Sequence, residues 1–234
     1  MNELQFKEEL LKIGVDLSSE QSTLIDKYLY FLLEYNKNVN LTALRNKEDV
    51  YLKHFYDSLL LLKFKRFTNE KILDIGSGAG FPGVPLKIVF PDIDLTVLDS
   101  NGKKTKFLEE LKDHLGLDYT VINERAEKYV LSKRESFDVV MGRAVTQMPI
   151  LAELCIPFVK EGGVFISYKG NLDETLENGI YAIETLGAEV EDVFTANLPF
   201  ENSTRNFVIS RKKCQTDEEY PRTFEKINKK PLQK

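Results

Sequence analysis

Glycines at alternate positions close a short apolar run in this chain: Lys71-Ile72-Leu73-Asp74-Ile75 leads into Gly76-Ser77-Gly78-Ala79-Gly80-Phe81-Pro82-Gly83. Few folds accept that pattern. Glycine permits a sharp backbone turn and a close approach to a ligand that a Cβ would repel. Pro82 and Pro85 then fall near the first turn of a helix, where a missing N–H costs little. Strand, glycine loop and helix in that order open a doubly wound α/β sheet, whose ligands bind beyond the carboxyl ends of the strands at the switch point.

Downstream the alternation repeats. Strands are expected at residues 71–75, 95–99, 119–123, 137–141 and 164–168, the last of them after Gly162-Gly163. Helices between them carry apolar stripes: Phe107, Leu108, Leu111 and Leu115 before Gly116, then Leu176, Ile180, Ile183 and Leu186 before Gly187. Another helix is expected from about Gln147 toward Pro157. Two final strand-like runs, near 188–196 and 206–211, have no helix between them and predict an antiparallel hairpin at the sheet edge. Upstream the pattern is helical. Ser18 and Gln21 have capping-box spacing, and Leu24, Ile25, Tyr28, Leu29 and Leu32 form a stripe. A loop at residues 36–40 separates it from a second stripe, Leu52, Phe55, Leu59 and Leu62. The expected organisation is an N-terminal helical cap over residues 1–68, an α/β core over 69–213 and a basic tail over 214–234.

A net charge of −5 sits awkwardly with a nucleic-acid partner. The charge is uneven, however: residues 211–234 hold eight bases against four acids, +4, which leaves −9 for the remainder. Such a patch can bind phosphate, or can simply keep the chain soluble; charge alone leaves both open. No run approaches the roughly 18 apolar residues needed to cross a bilayer. The first residues lack a secretory pattern, and the two cysteines, Cys155 and Cys214, form no metal-type pair. A cytoplasmic, reduced, metal-free protein is expected, with Cys155 a small core residue.

Asp74 lies inside an otherwise apolar strand, where a carboxylate is costly unless it is partnered. It either orients the loop or holds the amino group of a bound methionine moiety; the alternative is capping of nearby amides. Asp99 ends the second strand about 20 residues beyond the loop, where an acid can take both hydroxyls of a ribose. Gly78-Ala79-Gly80-Phe81-Pro82-Gly83 also matches the dinucleotide fingerprint G-x-G-x-x-G. The register argues against a dehydrogenase, because Gly76-Ser77 come between the strand end and that match.

Residues 74–83 resemble motif I of the ribosomal RNA small-subunit methyltransferase G family, also called glucose-inhibited division protein B. The likeness spans nearly the whole chain. Tyr35-Asn36-Lys37-Asn38-Val39-Asn40-Leu41-Thr42-Ala43 and His54-Phe55-Tyr56-Asp57-Ser58-Leu59 are similar to its N-terminal signatures. Arg125-Ala126-Glu127, Arg143-Ala144-Val145, Arg205-Asn206 and Tyr220-Pro221-Arg222 follow in the family's order. The resemblance implies a class I S-adenosyl-L-methionine-dependent methyltransferase, Rossmann-like, with a seven-stranded, mostly parallel sheet. It implies methylation of a guanine N7 in the 530-loop region of 16S ribosomal RNA. By position, Gly76 and Phe81 would contact the cofactor, Ala126 and Glu127 would lie by its adenine, and Arg143 would complete that site. With Asp74, Gly78 and Asp99 these make the expected cofactor set. Arg125, Arg205 and Arg222 are the candidates for RNA contact. One departure stands out: Thr223-Phe224-Glu225-Lys226-Ile227 occupies the tail where the family has glycine and proline.

Guanine N7 offers an in-plane lone pair and loses no proton on methylation, so positioning and pocket electrostatics suffice and no general base is needed. The catalytic residue is therefore left unassigned; Arg143 is the candidate for positioning, and a surface salt bridge is its bland alternative. The Asn/Asp-Pro-Pro-aromatic motif of exocyclic-amine methyltransferases is absent after the fourth strand, and neither cysteine sits where a nucleophile would. His54 reads as packing the cap onto the core. The expected partner is small-subunit ribosomal RNA or a 30S assembly intermediate, and the expected state a monomer. Rivals are a methyltransferase of this fold with another RNA or small substrate, and a nonenzymatic RNA-binding assembly factor.

Overall fold

The structure, a computed structural model, describes residues 1–143, 146–170 and 176–234, without the side chain at 176. Ala144 and Val145 of the motif above, and the start of the stripe at Leu176, lie outside the described residues. The chain opens with α1 (Glu3–Lys12) and α2 (Ser19–Tyr35). Each begins with a reciprocal capping box: Asn2 with Gln5, and Ser18 with Gln21 as the spacing predicts.

The second stripe becomes an irregular helix. It runs through α3 (Lys47–Val50), a π-helical turn (Tyr51–Tyr56), α4 (Asp57–Leu59) and a 3-10 turn (Leu60–Lys63). Of the 13 residues at 50–62, 11 are buried. A segment enclosed on nearly every side has no single apolar face, so a 3.6-residue period could find it but not describe it. The widened turn carries His54 and delivers Asp57 just beyond it, the kind of place where π turns tend to serve a site.

Seven strands follow: β1 (Lys71–Ile75), β2 (Asp94–Asp99), β3 (Thr120–Asn123), β4 (Phe137–Arg143), β5 (Val159–Lys169), β6 (Ala188–Leu198) and β7 (Ser203–Lys212). Their order in the sheet is β3-β2-β1-β4-β5-β7-β6. The first five are parallel, and β7 is antiparallel to both neighbours. The expected hairpin is present, but it folds back so that β7 pairs with β5 and β6 forms the edge. Direction of winding reverses between β1 and β4, which marks the carboxyl end of β1 as the switch point.

Helices α5 (Gly83–Val89), α6 (Gly102–Leu115), α7 (Ala126–Lys133), α8 (Met148–Cys155) and α9 (Leu176–Thr185) cover the sheet, and α10 (Phe224–Lys229) ends the chain. Alternate strand residues divide between two cores. Ile72, Val97, Val139 and Met141 join the N-terminal helices, with Tyr28, Leu29 and Phe55, in one cluster. Leu73, Ile75, Leu98 and Val140 join α7, α8 and α9 in the other. Residues 1–68 thus share an apolar core with the sheet.

The two hairpin strands run longer than expected, and so do β4 and β5. β4 reaches Arg143 because Gly142 continues the pairing and lets α8 come close; a Cβ there would sit 2.7 Å from Leu151 Cδ1. β5 begins at Val159, before the glycine pair, which forms an irregularity inside the strand. Gly162 has φ +79°, and a Cβ on Gly163 would lie 2.8 Å from the Asp138 carbonyl.

Candidate active site

The glycine loop is laid across the end of β2. Backbone N–H groups of Gly76 and Ser77 donate to the Leu98 carbonyl at 2.8 and 3.2 Å, and Gly78 N–H donates to Asp99 Oδ2 at 3.1 Å. Gly76, Gly78 and Gly80 all have positive φ. Gly80 is constrained twice, since a Cβ there would also meet Tyr28 Oη at 2.6 Å and Val84 Cγ2 at 2.9 Å. The Tyr28 hydroxyl, from α2, donates to the Ala79 carbonyl and fixes the loop from outside. Gly80→Ala is therefore expected to cost at least about 1–2 kcal/mol from backbone strain alone. Thermal denaturation should show Tm lowered by at least about 2 °C.

Beneath the loop, Asp74 is fully buried. Its Oδ2 accepts from the Ser77 hydroxyl at 2.8 Å and from Gly83 N–H at 2.9 Å. A Cβ on Gly83 would fall 2.9 Å from that oxygen, so glycine is needed there for contact rather than for φ. Among the described residues Oδ1 has no hydrogen-bond partner. Burial pushes the carboxyl pKa up to about 6, against the opposing effects of Ser77, Gly83 and Arg143. One oxygen caps backbone, as the bland reading has it; the other awaits a donor.

Beyond the loop lies a crevice of about 310 Å³. Ile75, Leu98 and Leu154 supply apolar lining, and Gly76 lies beside them. Asp99, Ser100 and Lys104 from the end of β2 and the start of α6 line it, together with Glu124, Arg125, Ala126, Glu127 and Phe224. Asp99 accepts from Asn101 N–H at 2.9 Å and lies 3.5 Å from Lys104 Nζ. Asn101 caps α6 by accepting from Lys103 N–H. Arg125 donates from Nε to Glu127 at 2.5 Å. Neither cysteine lines this space.

A second cluster sits where β4, β7 and the irregular helix meet. Asp57 accepts from Arg143 Nη1 at 2.7 Å through one oxygen and from Arg205 Nε at 2.6 Å through the other. All three side chains are at least three-quarters buried. Arg143 also donates to the Lys53 carbonyl at 3.1 Å and faces His54 Nδ1 at 3.2 Å. A guanidinium can only donate, so His54 Nδ1 accepts and its proton sits on Nε2, 2.8 Å from Thr42 Oγ1. The His54 ring stacks on Phe81 at 4.5 Å, and Tyr28 stacks on Phe81 at 5.1 Å. Phe81 is thereby enclosed, with the Arg143 guanidinium 5.4 Å from its ring centre.

The expected cofactor residues thus fall into two groups. Gly76, Asp99, Ala126 and Glu127 line the crevice, and Gly78 is tied to Asp99. Asp74 lies under the loop. Phe81 and Arg143 belong to the neighbouring ionic and aromatic cluster; Arg143 makes a buried ion pair rather than a surface one. The three arginines expected on RNA are scattered. Arg125 borders the crevice, Arg205 shares Asp57 with Arg143, and Arg222 forms a two-armed pair with Glu153, at 2.8 and 2.6 Å. Glu153 is fully buried, so Arg222 neutralises it and anchors the tail. Sequence reasoning assigned no role to Asp57, Tyr28 or Phe224. Each is reached only through contacts distant in sequence.

A profile of the family described as rRNA small subunit methyltransferase G matches residues 21–204. The chain belongs to this family. Curated members called ribosomal RNA small subunit methyltransferase G are 45% identical in Bacillus cytotoxicus and 44% identical in Bacillus cereus. In both cases the match covers the whole of this chain and of the relative. The fold is shared more widely. Precorrin-6y C5,15-methyltransferase from Geobacter metallireducens superposes with TM-score 0.52 at 18% identity, over 68% of this chain and 86% of its own. Mitomycin 7-O-methyltransferase gives 0.56 at 14%, over 78% and 60%. The member of the rRNA small subunit methyltransferase G family described here thus has the doubly wound methyltransferase sheet.

His54 gives this family member an acid-sensitive joint. Burial, then the Arg143 charge, lower its pKa to about 3. A base whose folded pKa lies below its unfolded value of about 6.5 stabilises the fold less as pH falls, because the unfolded chain takes up the proton first. Stability should decline from pH 6.5 toward 3. His54→Gln keeps an acceptor for Arg143 and a donor for Thr42 without titrating. Denaturation midpoints from pH 7 to 4 should fall less steeply for that variant than for the unaltered protein.

Proposed function

We propose that the crevice binds S-adenosyl-L-methionine and that the protein methylates N7 of a guanine in the 530-loop region of 16S ribosomal RNA. The observation that carries the donor assignment is the orphaned, buried Asp74 oxygen beneath a loop that opens on the Asp99 crevice. A methionine ammonium supplies the donor Asp74 lacks. Ribose hydroxyls suit Asp99, and the apolar lining with Ala126 and Glu127 suits a purine. When bound, the sulfonium supplies an electrophilic methyl group, and guanine N7 needs no deprotonation.

The chain's own part is then placement and charge. Asp74 and Asp99 hold opposite ends of the donor, and the glycine loop excludes side-chain bulk between them. Arg143 and Arg205 bring two guanidiniums to one carboxylate, leaving a net positive charge beside the loop that suits an RNA phosphate or guanine O6. The cytoplasm and a monomeric state complete the reading; among the described residues no helix is long and apolar enough to cross a membrane. The chain's acidic balance favours a partly assembled small-subunit particle over naked RNA as substrate.

Incubation with labelled donor and small-subunit particles or 16S RNA from cells lacking the modification tests this. The expected result is 7-methylguanosine in nuclease digests, faster from particles. Label in an exocyclic amine or a ribose methyl overturns the target assignment, and equal rates on naked RNA overturn the particle preference.

A further inference from the structure

We infer that the C-terminal helix α10 is part of the donor pocket, with Phe224 forming the wall that meets the purine; this rests on the donor reading above. The tail is held to the body independently of Phe224. Arg222 donates to the buried Glu153 from its backbone N–H as well as from its guanidinium. Ile227, one helical turn beyond Phe224, is fully buried against the core under α8. Phe224 is left 37% exposed and lines both the crevice that holds Asp99 and an adjoining surface depression with Asn228 and Lys229. A large ring that is not needed to seat its helix and that lines the crevice beside Arg125 and Glu127 is placed for what enters that cavity.

Its surroundings define the ligand chemistry. The Arg125 guanidinium lies 4.2 Å from the centre of the Phe224 ring and is itself fixed by Glu127. Guanidinium, ring and carboxylate form one contiguous unit in the lining of the pocket. A flat, polarisable base can stack on such a surface, while Glu127 offers an acceptor to an exocyclic amine. The arrangement assigns Arg125 to the nucleoside donor rather than to RNA. It depends on Phe224, in the stretch where this chain departs from the family's glycine and proline.

Binding of S-adenosylhomocysteine and of 5′-methylthioadenosine, followed by calorimetry, separates this role from a structural one. Phe224→Ala should weaken both ligands by about the same factor, roughly tenfold. Phe224→Tyr should restore binding, and the Tm without ligand should not change. The chain has no tryptophan. Phe224→Trp therefore introduces a single reporter whose emission should change saturably with either ligand, whereas Phe200→Trp, at the β6–β7 turn, should not respond. Unchanged affinity in Phe224→Ala, together with no emission change in Phe224→Trp, overturns the inference while leaving the donor reading intact. Failure of the unaltered protein to bind either ligand removes both.

Discussion

Asp57→Asn is expected to destabilise the protein by about 3–5 kcal/mol and to abolish methyl transfer. The reasoning is electrostatic. Asp57 is the carboxylate between Arg143 and Arg205, and all three are largely shielded from water. Removing one partner of a buried pair strands the others without compensation, which costs far more than losing a surface pair. Here two cations are stranded at once. The consequence spreads because Arg143 also fixes the His54 tautomer, and His54 stacks on Phe81 of the glycine loop. Thermal denaturation should show a Tm fall of roughly 10 °C. Adding Arg205→Gln should recover part of it by removing one stranded charge, and such coupling is what a double-mutant cycle detects. Additive losses would show that the three side chains do not act as a unit.

Asp74→Asn should split stability from binding. Because burial raises the folded pKa to about 6 from 3.8, the native state holds its proton more tightly than the unfolded chain does. Stability therefore falls as pH rises from about 4 to 6, and the ionised carboxyl above that range carries a penalty on the order of 3 kcal/mol. Asparagine avoids the ionisation and can still accept from Ser77 and Gly83. At pH 7.5 the variant without ligand should melt no lower than the unaltered protein, with the difference vanishing near pH 4. S-adenosylmethionine affinity should nonetheless fall at least about tenfold, because an amide that keeps accepting from Ser77 and Gly83 puts its NH2 group where Oδ1 was, a donor facing an ammonium. A lowered Tm with undiminished affinity would reverse the role given to this residue.

What was legible in the sequence was local. The glycine spacing fixed the loop, the alternation of apolar runs found the strands, and the capping pair Ser18 and Gln21 located a helix start. Asp74 and Asp99 stood out because a carboxylate at a strand position needs a reason. Ion pairs carry no such periodicity. Asp57 lies 86 residues from Arg143 and 148 from Arg205, so its pairing could not be read from spacing. Charge alone leaves the basic tail open between a phosphate patch and a solubilising surface, and the pairing of Arg222 with Glu153, 69 residues earlier in an apolar helix, has no spacing signal. Gly142 looked like a strand end and is instead the point where α8 approaches β4. Phe224 was visible only as a departure from the family; its place at the crevice depends on how the tail returns.

The most direct test is a crystal structure with S-adenosylhomocysteine bound. The expected result is a ligand lying along residues 76–80, its ribose on Asp99, its amino group on the free oxygen of Asp74 and its base beside Ala126 and Glu127. A ligand seated instead in the basic depression of Lys37, Arg45 and Lys47, with the Asp99 crevice empty, would contradict it.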